Sequence, residues 1–140
     1  MQWITYALLS AVFAAATSIL AKIGIKDVDS NLATAIRTTV ILIFTWGIAF
    51  SQKSVSQITT LSKTSIIFLV LSGIATGLSW LFYFRALQLG PASRVVPIDK
   101  LSLVITIFLA AIFLKENITL PVVIGAILMT TGTLIIAMAK

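Results

Sequence analysis

Five runs of apolar residues, each about as long as a bilayer is thick, alternate along this chain with short polar turns. The first runs from about Trp3 to Ala21. Lys22 and Lys26 close it, and the turn Asp27-Val28-Asp29-Ser30-Asn31 follows. The second runs from about Leu32 to Phe50. The third covers Ile66 to about Ala86 and is uncharged until Arg85. Gly90-Pro91 then supplies a C-cap glycine with a helix-stopping proline behind it. The fourth is expected over about residues 92–114, and the fifth over Pro121 to about Ala139. Pro121 falls in the first turn, where its missing N–H costs little. Strands of a β-barrel alternate apolar and polar residues over about ten positions. Leu101–Leu114 and Val122–Leu128 do not alternate, so the runs read as helices.

The expected fold class is therefore all-α: an integral membrane protein of five transmembrane helices forming one domain over residues 1–140. Composition agrees. Hydrophobic residues make up 59% of the chain, and mean hydropathy is +1.13. A water-soluble domain of this size cannot hide that much apolar surface, whereas a bilayer replaces the core as the apolar medium. The longest connection, about Ser51 to Ser65, leaves no room for an extramembrane domain. The first run has no basic segment before it and no convincing cleavage site, so it reads as a retained span.

Two spans are short of uncharged residues. Thr38 to Gln52 has 15 of them, roughly 22 Å of helix. Crossing about 30 Å of hydrocarbon therefore draws Arg37 toward or into the membrane. Between Lys100 and Lys115 lie only 14 uncharged residues, roughly 21 Å. The fourth helix must begin near Ala92 to Pro97 and carry Asp99 and Lys100 inside it.

The ten basic residues sit mostly at span ends, where they orient and anchor membrane helices, and nucleic acid is not an expected partner. Lys22, Lys26, Arg37, Arg85, Arg94, Lys100 and Lys140 lie on one side. Lys53, Lys63 and Lys115 lie on the other. Without Arg37 and Lys100 the balance is five against three. The positive-inside rule then favours the N-terminus outside and the C-terminus inside the cell membrane. Dual insertion stays open.

Histidine and cysteine are absent, which removes disulfides, thiol nucleophiles and the usual soft metal ligands. The spans contain no close acid pair, and no Gly-rich phosphate loop is present. No enzymatic role and no cofactor are expected.

The intramembrane polar residues are the candidate site. A charge at the centre of a transmembrane helix costs about 2.5–3.5 kcal/mol and usually faces a cavity or partner. On one reading Asp99 is a proton or cation site, Lys100 is its counter-ion, and Pro97 opens the helix. Asp99, Ser102 and Thr106 then lie at helical spacing along a polar lining. On the other, the helix starts at Val96 with Pro97 in first position. Asp99 then merely favours the helix dipole, and Lys100 reaches the headgroups. Arg37 either attracts an anionic group, neutralises Asp99, or extends to the interface. Trp80, Phe82 and Tyr83 are candidates for a pocket taking an aromatic or cationic substrate. Small residues mark helix contacts: Gly73 and Gly77 in span three, Gly125 and Gly132 in span five, and an alanine-rich stripe in span one. Packing within the chain is the simplest account of each.

One further pattern bears on function. Phe84-Arg85-Ala86-Leu87-Gln88-Leu89-Gly90-Pro91-Ala92-Ser93 precedes the fourth helix, which ends in Phe113-Leu114-Lys115-Glu116-Asn117. The last helix contains Ile124-Gly125-Ala126-Ile127-Leu128-Met129-Thr130-Thr131-Gly132. In order and spacing this resembles the EamA domain of the drug/metabolite transporter superfamily. Lys22 near the end of helix one, Glu116 after helix four and Arg37 in Ala35-Ile36-Arg37 also match. The chain departs from the family in having Leu103 where a proline is common, and in having one repeat rather than two.

The resemblance implies a secondary transporter, an exporter or exchanger of small metabolites or drug-like solutes. It also implies that two repeats of opposite orientation enclose the substrate path. A single repeat then needs an antiparallel second copy, or an oppositely inserted homologous chain. Alternatives are a flippase subunit for a lipid-linked substrate and a non-transporting regulatory membrane subunit.

Overall fold

The computed structural model describes residues 2–139; Lys140, counted above in the charge balance, lies outside them. Helix α1 spans Gln2–Gly24, α2 Ser30–Ser51, α3 Lys63–Leu89, α4 Ala92–Asp99, α5 Leu101–Leu109 and α6 Leu120–Met138. α4, α5 and a π-helical turn at Ala110–Leu114 together make the fourth span. Five segments are thus long and apolar enough to cross a membrane. The chain is an all-helical multi-pass membrane protein, and each segment overlaps the run that hydropathy marks.

Local chemistry sets the ends. The Asp29 carboxylate accepts from the backbone N–H groups of Asn31 at 2.9 Å and Leu32 at 3.1 Å. These are donors that a helix N-terminus otherwise leaves unpaired. So α2 starts at Ser30, two residues before the apolar run begins. The connection after α2 is not a plain loop. Ser54–Thr60 forms a 3₁₀-helix entered through Lys53 in the left-handed region, φ 56°. It folds against α2, where Thr45, Trp46, Val55, Ile58 and Leu69 line a shallow groove.

Two compact units are distinguished. One holds α1 up to Ile19 and everything from Leu89 onward; the other is Leu20–Gln88. In the first, α4 and α5 both pack on α6. In the second, the end of α3 is tied to the turn after α1. Lys22 donates through Nζ to the Leu87 carbonyl, and Gln88 donates through Nε2 to the Val28 carbonyl at 2.5 Å. A lysine at a helix C-terminus also suits the negative end of the dipole. Around this latch lie the buried apolar side chains of the described residues, Ile25, Phe84 and Leu87. Most other large apolar side chains along the spans are exposed. That is the distribution expected where hydrocarbon, not a protein core, covers them.

The glycines have space around them. A Cβ built at Gly73, Gly77, Gly125 or Gly132 would meet nothing within 4 Å. A methyl group would therefore fit at each of these positions, and close backbone approach is not what keeps them glycine within either unit.

Candidate functional site

The fourth span begins at Pro91, whose extended backbone, ψ 140°, turns the chain into α4. Its carbonyl accepts from the N–H groups of Arg94 at 3.0 Å and Val95 at 3.1 Å. The start at Val96, with Pro97 in first position, is therefore incorrect. Pro97 is an interior residue of α4. Its ring removes the N–H that would bond the Ser93 carbonyl. The helix gives way three residues later. At Lys100 the ladder tightens: its N–H reaches Pro97 at 3.0 Å and Val96 at 3.2 Å, and Leu103 bonds back to Lys100 at 3.0 Å. α5 then resumes.

Asp99 and Lys100 stand at this break. The Lys100 ammonium lies 3.3 Å from the Asp99 carboxylate, with the side chains 47% and 33% exposed respectively. Asp99 thus has its counter-ion beside it in sequence. Ser102 and Thr106 are exposed, and the Thr106 hydroxyl donates to the Ser102 carbonyl at 2.8 Å. That donor is spent on its own helix, as for most span threonines.

Thr133 behaves differently. It is buried on α6, and its hydroxyl donates across to the Pro97 carbonyl at 3.5 Å, a long bond. Thr130 and Thr131 on the same helix bond their own carbonyls four residues back. Nothing in the sequence separates Thr133 from those two, so its contact with α4 was not foreseen.

The end of the span is also unusual. After the π-helical turn, Lys115 adopts φ 55°, and the Glu116 N–H returns to the Ala110 carbonyl at 3.3 Å. The Glu116 side chain is exposed and forms no hydrogen bond or ion pair among the described residues.

A second cluster lies in the Leu20–Gln88 unit. Arg37, on α2, is half-buried against α3. Its guanidinium carbon is 4.7 Å from the centre of the Trp80 ring and 5.1 Å from that of Phe84. Both distances fall within cation–π range. Phe84 is 2% exposed, and Tyr83 meets its ring edge-on at 6.0 Å. Arg37 is therefore folded back on α3. It is held over two aromatic rings that sit one helical turn apart. Sequence reading selects Arg37 and Trp80 separately; the structure joins them and adds Phe84. Phe82 faces outward, 74% exposed. Among the described residues no group of histidine, cysteine, aspartate and glutamate is placed to hold a metal ion.

Comparison with known proteins fits these features. Residues 1–138 match the model of the EamA-like transporter family. The chain belongs to that family. A relative described as an uncharacterized transporter in the cobO 3′ region of Sinorhizobium sp. is 43% identical over 136 residues, covering 97% of this chain and 96% of its own. An uncharacterized protein of Methanocaldococcus jannaschii is 34% identical over 71 residues, covering 51% of this chain and 52% of its own. No solved structure matches. The EamA membership makes the chain a membrane protein of a transporter family, as its motifs around Pro91, Glu116 and Gly125 imply.

Proposed function

We propose that this EamA-family chain is half of a secondary transporter, and that two oppositely inserted halves enclose the path of a small metabolite or drug-like solute. It exports or exchanges that solute across the cytoplasmic membrane and performs no enzymatic step. The N-terminus faces outward and the C-terminus inward in the copies that follow the positive-inside rule. Its partner is a second copy or a homologous half-transporter.

The observation that carries this reading is the broken fourth span, with Asp99 and Lys100 at the break. Discontinuous helices that bear charge at membrane depth are how secondary transporters build sites between repeats. The glycines of α3 and α6 support the second half: a Cβ added at Gly73, Gly77, Gly125 or Gly132 meets nothing within 4 Å, and small residues of this kind suit close approach of a partner helix.

The test has two parts. Single cysteines introduced at Gln57 and Arg94, in a chain with no native cysteine, are labelled with an impermeant maleimide from each side. Labelling of both positions from both sides is expected if copies insert both ways. A single orientation with no inverted companion overturns the paired-half reading. Reconstituted protein is then assayed for solute counterflow; transport by an isolated monomer refutes the dimer.

A further inference from the structure

The charges inside the spans do not balance. Asp99 is matched by Lys100, and Asp29 is engaged in capping α2. Asp27 and Glu116 lie in turns between spans. Arg37 forms no ion pair and no hydrogen bond among the described residues. Yet it is the eighth residue of α2, roughly 10 Å along the axis from the helix start.

Trp80 and Phe84 compensate the positive charge through their ring faces, but a ring accepts none of the five N–H groups as a carbonyl or carboxylate does. Among the described residues no side-chain nitrogen is both enclosed and unpartnered, so the Arg37 nitrogens keep accessible surface. The result is a cation of fixed position, with open donors and no resident counter-ion, built by two helices of one unit. A planar guanidinium with free edges is matched by a group presenting two oxygens side by side.

We propose that Arg37, clamped by Trp80 and Phe84, is the binding site for an oxyanion, a carboxylate or phosphate, on the molecule this protein carries or on a lipid headgroup. The role in transport rests on the half-transporter reading; the binding itself does not. Trp80 supplies an aromatic plane beside the anion, so an aryl carboxylate gains a stacking surface as well as its charge contact.

Binding is therefore measured directly, without transport. Trp3→Phe and Trp46→Phe leave Trp80 as the one tryptophan of the three. Protein in phosphatidylcholine nanodiscs is titrated with benzoate, inorganic phosphate and benzylammonium, with Trp80 fluorescence as the readout. Saturable quenching by benzoate or phosphate, and none by benzylammonium, is expected. Arg37→Gln should weaken it by about tenfold or more, and Arg37→Lys by less, since the charge stays while the fork is lost. Nanodiscs doped with phosphatidylglycerol separate the sources. If the lipid alone shifts Trp80 in an Arg37-dependent way and blocks benzoate, the anion is a headgroup; if benzoate competes it away, the anion is a solute. Equal response to benzylammonium, a response unchanged in Arg37→Gln protein of native helicity, or no response to any probe overturns the site. Transport found alongside failed binding would leave the half-transporter reading standing and this inference refuted.

Discussion

The guanidinium of Arg37 lies 4.7 Å from the centre of the Trp80 ring, across two helices that are adjacent in the chain but 43 positions apart at these residues. The pair holds a long, flexible cationic side chain in one place against an aromatic face. A double-mutant cycle should give a coupling of about 0.5–2 kcal/mol between Arg37→Gln and Trp80→Leu, read from unfolding in mixed micelles. Additive effects would mean that the contact carries no energy.

Asp99→Asn should leave expression and helicity near wild type, because Lys100 is half-exposed and can reach the headgroups once its partner is gone. Counterflow in proteoliposomes should fall by about tenfold, equivalent to ~1.4 kcal/mol of barrier. Full transport at every pH would reduce Asp99 to a helix-end residue.

Thr133→Val removes the hydroxyl that meets the Pro97 carbonyl and keeps the shape. A single hydrogen bond between membrane helices contributes on the order of 0.6 kcal/mol, and this one is long at 3.5 Å. A loss of that size or smaller is expected in detergent unfolding, with Thr133→Ser neutral. A loss several times larger would mean that the break in the fourth span depends on this bond.

Gly77→Leu separates two kinds of packing. A Cβ at Gly77 meets nothing within 4 Å, so the thermal midpoint of dispersed protein is expected to change little. Association between copies should weaken, as seen by cross-linking or sedimentation in matched detergent. A collapsed midpoint would show that the glycine face packs internally after all.

Lys115 sits at φ 55° with a side chain that disfavours it. The left-handed region costs roughly 1–2 kcal/mol for a residue with a Cβ, and glycine adds back about 0.5–1 kcal/mol of backbone entropy. Lys115→Gly should therefore stabilise by about 0.5–1 kcal/mol, visible as a raised unfolding midpoint. A lowered midpoint would assign the lysine an anchoring role that outweighs the strain.

How much was legible in advance differs by kind of feature. The five spans, the proline in the first turn of α6 and the charges drawn into the second and fourth spans are readable residue by residue. The Asp29 cap shifted the start of α2, and the 3₁₀-helix at Ser54–Thr60 replaced an expected loop. Both depend on backbone hydrogen bonds that hydropathy does not register. Of the starts left open between Ala92 and Pro97, the fold takes Ala92, because the extended Pro91 leads into the helix and Pro97 lies inside it.

Span number, membrane residence and the presence of buried charge follow from the sequence by itself, because transfer of each side chain to hydrocarbon is a local quantity that sums along a helix. That Arg37 rests on Trp80 and Phe84, that Thr133 reaches Pro97, and that Lys22 meets the Leu87 carbonyl were decided only by the fold. Each is a distance between residues far apart in the chain, and no sum over neighbouring positions contains it.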